Sequence, residues 1–166
     1  MKKILLILAA LFAALAASAQ DARSLYTRYS DLPGVQAVYI SPAMFRMIGK
    51  LPMQDMDLDV KEAVKSLSGF YLLNVSDPDV RMKLKAEANR FVQAGKYEML
   101  MEAKDNGETV RMYSVGDGEY VSSFAMISED GEECVFMALE GLISQAAIDR
   151  LIEKQAERAE PRDLGL

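Results

Sequence analysis

Chemistry in this chain is constrained first by an absence, because none of its 166 residues is histidine. Histidine is the usual proton carrier near neutral pH, so Ser-His-Asp and Cys-His arrangements are excluded, and histidine-ligated metal sites with them. The one cysteine, Cys134, cannot close a disulfide within the chain. As a nucleophile it would need a neighbouring cation to lower its pKa. Its setting, Cys134-Val135-Phe136-Met137-Ala138-Leu139, is apolar throughout, which predicts a buried core thiol.

Asp55, Asp57 and Asp59 repeat the spacing of the first three ligands of an EF-hand loop, but Val60 stands where glycine is required and Ser66 where a bidentate glutamate is. They read as solvated carboxylates at a helix start. Glu132 and Glu133, beside a turn, read the same way. Among eleven methionines, Met99 with Met101, placed on the same side of a strand, and Met53 with Met56 form close pairs of the kind that could hold copper(I). Met44, Met47, Met82, Met112, Met126 and Met137 are scattered over helices and strands, and gap-filling in the core is the expected role of the whole set. No glycine-rich loop opens a helix, so no phosphate cradle is expected. Glu98, Glu102 and Asp105 could do acid–base work only if burial raised one pKa. No catalytic, cofactor-binding or metal-binding residue is assigned, and no cofactor is expected.

The elements that would position these residues follow from periodicity and punctuation. A short helix is predicted over Ala22–Tyr29, closed by Leu32-Pro33-Gly34, and a strand over Val35–Ile40. Ser41-Pro42 and Asp77-Pro78 both combine a capping side chain with proline in the first turn, starting a helix before Gly49 and a second of about 17 residues before Gly95. The longer helix carries Val80, Leu84, Ala88 and Phe91 on one face. Residues 59–67 carry a helical pattern, and Ser68-Gly69 is read as its end before a strand over residues 70–75. From Tyr97 the period changes. Turns at Asp105-Asn106-Gly107, Gly116-Asp117-Gly118 and Asp130-Gly131 divide the rest into strands over residues 96–104, 108–115, 119–128 and 133–140, an antiparallel meander. A last helix is predicted over residues 144–157, with Ala147, Ile148, Leu151 and Ile152 inward. The fold class is therefore α+β, an antiparallel or mixed sheet of about six strands with helices mainly on one face.

The N-terminus carries Lys2 and Lys3, an apolar run over residues 4–17 and Ala17-Ser18-Ala19, the order of a secretory signal peptide with cleavage between Ala19 and Gln20. That run is shorter than the roughly 20 residues a membrane span needs. No cysteine is near the cut to carry a lipid. The expected organisation is a signal peptide at 1–19, one domain at 20–157 and a polar tail at 158–166, with no transmembrane segment in the mature chain. Losing Lys2 and Lys3 makes the mature chain more acidic than the −6 of the full sequence, which disfavours nucleic acid and anionic lipid as partners.

Three stretches carry a resemblance: Tyr26-Thr27-Arg28-Tyr29-Ser30 leading into Gly34-Val35-Gln36-Ala37-Val38-Tyr39-Ile40-Ser41 and Met44; Tyr97-Glu98-Met99-Leu100-Met101-Glu102-Ala103-Lys104-Asp105; and Val135-Phe136-Met137-Ala138-Leu139-Glu140-Gly141 leading into Ile148-Asp149. With these the chain, over roughly residues 21–152, resembles the exported domain-of-unknown-function 4252 family of Gram-negative envelope proteins. The resemblance implies an envelope location, in the periplasm or at the cell surface, and carries no catalytic residues with it.

The expected function is that of a non-enzymatic binding or accessory module, its partner an envelope protein or a small ligand. A carboxylate-based enzyme and a carrier of a small apolar ligand are the alternatives. On the strand 96–104, Tyr97, Met99, Met101 and Ala103 are expected on the helix side, with Glu98, Leu100, Glu102 and Lys104 opposite. On the strand 119–128 neither side is clearly polar. Tyr120 and Phe124 on one side, and Val121 and Ile127 on the other, are therefore the candidate partner surface.

Overall fold

The computed structural model describes residues 21–50 and 58–146, and side chains over 21–50 and 61–146. The predicted signal segment, most of the predicted last helix, the tail and the carboxylates Asp55 and Asp57 lie outside the described residues, as do the side chains of Asp59, Met53 and Met56.

Among the described residues, four helices and six strands follow in the order α1 (Ala22–Tyr29), β1 (Val35–Ile40), α2 (Pro42–Ile48), α3 (Leu58–Ser66), β2 (Leu67–Val75), α4 (Pro78–Ala94), β3 (Glu98–Asp105), β4 (Glu108–Gly116), β5 (Tyr120–Glu129) and β6 (Cys134–Ser144). The starts of α1, α2 and α4 are capped by side chains. Asp21 accepts from the Ser24 N–H at 2.7 Å, Ser41 from the Met44 N–H at 3.3 Å, and Asp77 from the Asp79 and Val80 N–H groups at 3.0 Å. Each satisfies amides that have no partner within the helix, a contribution of about 1 kcal/mol per cap. Between β3 and β4 only Asn106 (φ 47°) and Gly107 (φ 92°) turn the chain, the pair of left-handed residues that a two-residue hairpin requires.

All six strands form one antiparallel sheet in the order β1-β2-β6-β5-β4-β3. The last strand is thus inserted beside β2, which joins the two halves of the chain through the centre of the sheet. Two boundaries differ from the sequence reading. The second strand starts at Leu67, with a bulge between Leu67 and Gly69, where Ser68-Gly69 suggested a break. The last strand continues to Ser144 through Gly141, whose φ of +153° and contact with Ser66 admit no side chain: a Cβ there would lie 2.6 Å from the Ser66 carbonyl oxygen.

The main buried cluster lies between the sheet and helices α1 and α4. Leu25 and Tyr29 of α1 and Leu84, Ala88, Phe91 and Val92 of α4 meet Tyr71, Leu73, Val75, Ala125, Ile127, Phe136 and Ala138 of the sheet, all nearly or wholly buried. Phe91 sets its ring edge-on to Phe136 at a centroid distance of 5.4 Å. Complete burial of Leu25, Leu73, Leu84, Ile127 and Phe136 stabilises the fold by roughly 2 kcal/mol per side chain. Helices α2 and α3 pack on one another and against β2 and β6, outside this cluster.

Candidate functional site

Alternation along the strands sends every second residue away from α1 and α4. Following the register across that opposite face gives an unbroken row: Val38 lies across from Leu72, Leu72 from Met137, Met137 from Met126, Met126 from Met112, and Met112 from Met101. Four methionines therefore stand side by side on four adjacent strands. The next row toward the Ile40 end runs Ile40, Phe70, Leu139, Phe124, Ser114 and Glu98.

Exposure separates the two faces. On the helix side Leu73, Phe136 and Ile127 are fully buried, whereas Leu72, Phe124, Met112, Met126 and Met137 are only half-buried, and Val38 and Met101 are 46% and 43% exposed. The buried core contains no methionine among the described residues. This corrects the gap-filling role expected of them, and equally the view that Met112, Met126 and Met137 are scattered. Residues far apart in sequence become neighbours through strand pairing, a relation linear spacing cannot display.

A bulge reorganises β3. Met99 lies across from Tyr113 and Met101 from Met112, so Leu100 has no counterpart and the alternation inverts there. Tyr97 meets the core as expected, packing its ring on Phe91 and donating to Ser123 Oγ at 2.7 Å. Met101 and Ala103 do not; they stand on the opposite face. Nor do Met99 and Met101 form a pair. All eight residues of β3 are exposed, and among the described residues its outer edge is unpaired, with Met99, Leu100 and Met101 in succession along it.

The same bulge separates the carboxylates. Glu98, across from Ser114, stands on the methionine face, while Glu102 stands on the other, across from Arg111. Hydrogen bonds from Lys104 and from Arg111, the latter at 2.8 Å, hold the Glu102 carboxyl below the usual range, the reverse of what a neutral-pH acid requires. Arg111 also reaches Glu129 at 3.2 Å and Lys85 of α4 pairs with Glu129 at 2.5 Å, closing this side of the sheet with charge. The carboxyl that burial does push up is Glu140, assisted by the charge of Asp21 and opposed by a hydrogen bond from the Ala22 N–H. It lies across from Ser123 and from Gly69, at the N-terminus of α1. Sequence reasoning had not singled it out.

Of the four residues named for a partner surface, Ile127 is wholly buried on the helix side and Phe124 stands half-buried on the methionine face. Val121 is half-buried and Tyr120 is 44% exposed. The bulge between Val121 and Ser123 turns Val121 to the methionine face and Tyr120 away from it, and both border a groove of about 480 Å³ with Glu98, Leu100 and Ser114 at the end of β3, β4 and β5. Cys134 is fully buried, and burial pushes its thiol up to about 11. No group of three or more cysteine, aspartate or glutamate residues that could hold a metal occurs among the described residues. None of the described helices is long and apolar enough to cross a membrane.

A family model described as "Domain of unknown function (DUF4252)" matches residues 29–151, from the end of α1 to beyond β6. No curated protein and no solved structure matches the chain.

Proposed function

The chain belongs to the DUF4252 family, and we propose that this member is an exported, non-enzymatic binding module whose binding surface is the methionine face of the sheet. One observation carries the reading: the row Val38, Leu72, Met137, Met126, Met112 and Met101 crosses all six strands without a charged residue, on the face opposite α1 and α4. Contiguous apolar surface of this kind is characteristic of interaction sites, and methionine-rich surfaces adapt to varied partners because the thioether chain is unbranched and flexible. Export rests on the order of residues 1–19, with Gln20 as the first mature residue, and places the module in the periplasm or at the cell surface. The partner is an envelope protein or a small ligand with apolar surface.

Photo-crosslinking side chains incorporated in living cells at Met112 and Phe124, and at the exposed Met82 of α4 as a control, test this reading. Adducts are expected from Met112 and Phe124 only, on a protein whose mass corresponds to a chain starting at Gln20. Equal adducts from Met82, or none from the sheet, would remove the binding surface. An intact N-terminus in the recovered protein would remove export.

A further inference from the structure

We infer that Met101, Met112 and Met126 form a binding site for a soft monovalent cation of the copper(I) class. The inference rests on the methionine face being a binding surface and names a ligand for it. Three adjacent strands bring the residues into direct cross-strand register, Met101 across from Met112 and Met112 from Met126. Side chains directly opposite one another on one face of an antiparallel sheet have Cβ atoms roughly 4.5–5.5 Å apart, and methionine adds three rotatable bonds beyond its Cα. Neighbouring thioethers can therefore converge on one ion. Thioether sulfur is a soft donor that selects copper(I) over hard divalent cations.

The surroundings agree with that choice. Met101 is 43% exposed and gives an ion entry from solvent, while Met112 and Met126 are half-buried and hold it within the sheet surface. Met137, across from Met126, offers a fourth sulfur. Glu98 stands on the same face across from Ser114, two residues along β4 from Met112, and supplies a negative charge near the site without occupying it. Neither imidazole nor thiolate competes: the chain has no histidine, and Cys134 is buried on the helix side of the sheet. None of these residues belongs to the buried cluster between the sheet and helices α1 and α4.

The test titrates the full mature chain with silver(I), a redox-inert probe of the same class, and with copper(I) held by a competing chelator. Methyl resonances of the methionines are followed by NMR. Saturable binding of one ion is expected, with shifts confined to Met101, Met112, Met126 and Met137, and none on adding zinc(II). In Met101→Leu/Met112→Leu/Met126→Leu, which keeps the apolar volume, silver binding should be lost at an unchanged melting temperature. No saturable binding by the native chain, binding that survives in the triple variant, or shifts centred on Met44, Met47 or Met82 would overturn the site. Crosslinking from Phe124 in the same triple variant separates this proposal from the one it rests on. Adducts that persist without silver binding in the native chain refute the metal site alone, whereas loss of adducts from the native face refutes the binding surface.

Discussion

Met99 and Met101 lie on opposite faces of the sheet, because Leu100 between them is an extra residue with no counterpart on β4. Removing Leu100 should therefore leave both pairings intact, Met99 across from Tyr113 and Met101 across from Met112. The deletion is expected to change stability by no more than about 1 kcal/mol, as for other exposed sites without a cap or buried partner. Urea unfolding measures the change, and a methyl contact between Met101 and Met112 by NMR checks the register. Loss of that contact would show that the bulge sets the pairing.

The two faces should respond differently to truncation. Phe136→Ala removes a fully buried ring set against Phe91 and is expected to cost about 3–5 kcal/mol. Met126→Ala, on the half-buried face, should cost clearly less, about 1–2 kcal/mol, since the lost side chain leaves a surface depression that water can fill. Comparable losses in denaturant titrations would mean that the methionine face is packed like a core.

Alkali should unfold the protein from the helix side. Burial raises the Cys134 thiol from 9.0 to about 11, and burial together with Glu87 raises the Tyr29 hydroxyl from 10.0 to about 12. Both groups ionise more readily in the unfolded chain, so their contributions are complete below pH 9 and are lost as pH rises through their folded values. Midpoints in urea should fall steadily between about pH 9 and 12. The variant Cys134→Ser should fold and should lack the first part of that decline, and native Cys134 should resist a bulky thiol reagent until denaturant is added.

Glu140 works in the same sense, but in a lower pH range. Burial, and then the charge of Asp21, raise its carboxyl, so the folded state favours the protonated form and loses stability as pH rises through that raised value. Glu140→Gln removes the buried charge and keeps an acceptor for the Ala22 N–H. Its melting temperature should exceed that of the native protein at pH 7, with the difference vanishing near pH 4. A lower melting temperature at pH 7 would assign Glu140 a favourable charge interaction.

Much of this architecture was legible in local sequence. Ser41 and Asp77 announced two helix starts, and Asn106-Gly107 announced a hairpin, because caps and left-handed turns depend on a few adjacent side chains. What escaped reading was non-local. A one-residue bulge at Leu100 carries no composition signal, yet it reverses the face of Met101, Glu102 and Ala103. The run through Gly141 into Ser144 stays paired because Ser66 and Leu67 close over it, a contact made by residues some 70 positions away. For the same reason the methionine row could not be found: Met101, Met112, Met126 and Met137 become adjacent only once the order and register of four strands are fixed.

Met101 offers the most direct test of the methionine face as the binding surface. It is 43% exposed, it stands across from Met112 at the end of the row, and it contributes nothing to the buried core. The measurement is adduct yield in living cells from a crosslinking side chain at Met112, in the native background and in Met101→Glu, with melting temperatures recorded for both. A charge at this rim should abolish the adducts at an unchanged melting temperature, whereas Ile127→Glu, on the helix side, should unfold the protein. Adducts undiminished in Met101→Glu, or a melting temperature that falls as far as in Ile127→Glu, would contradict the account.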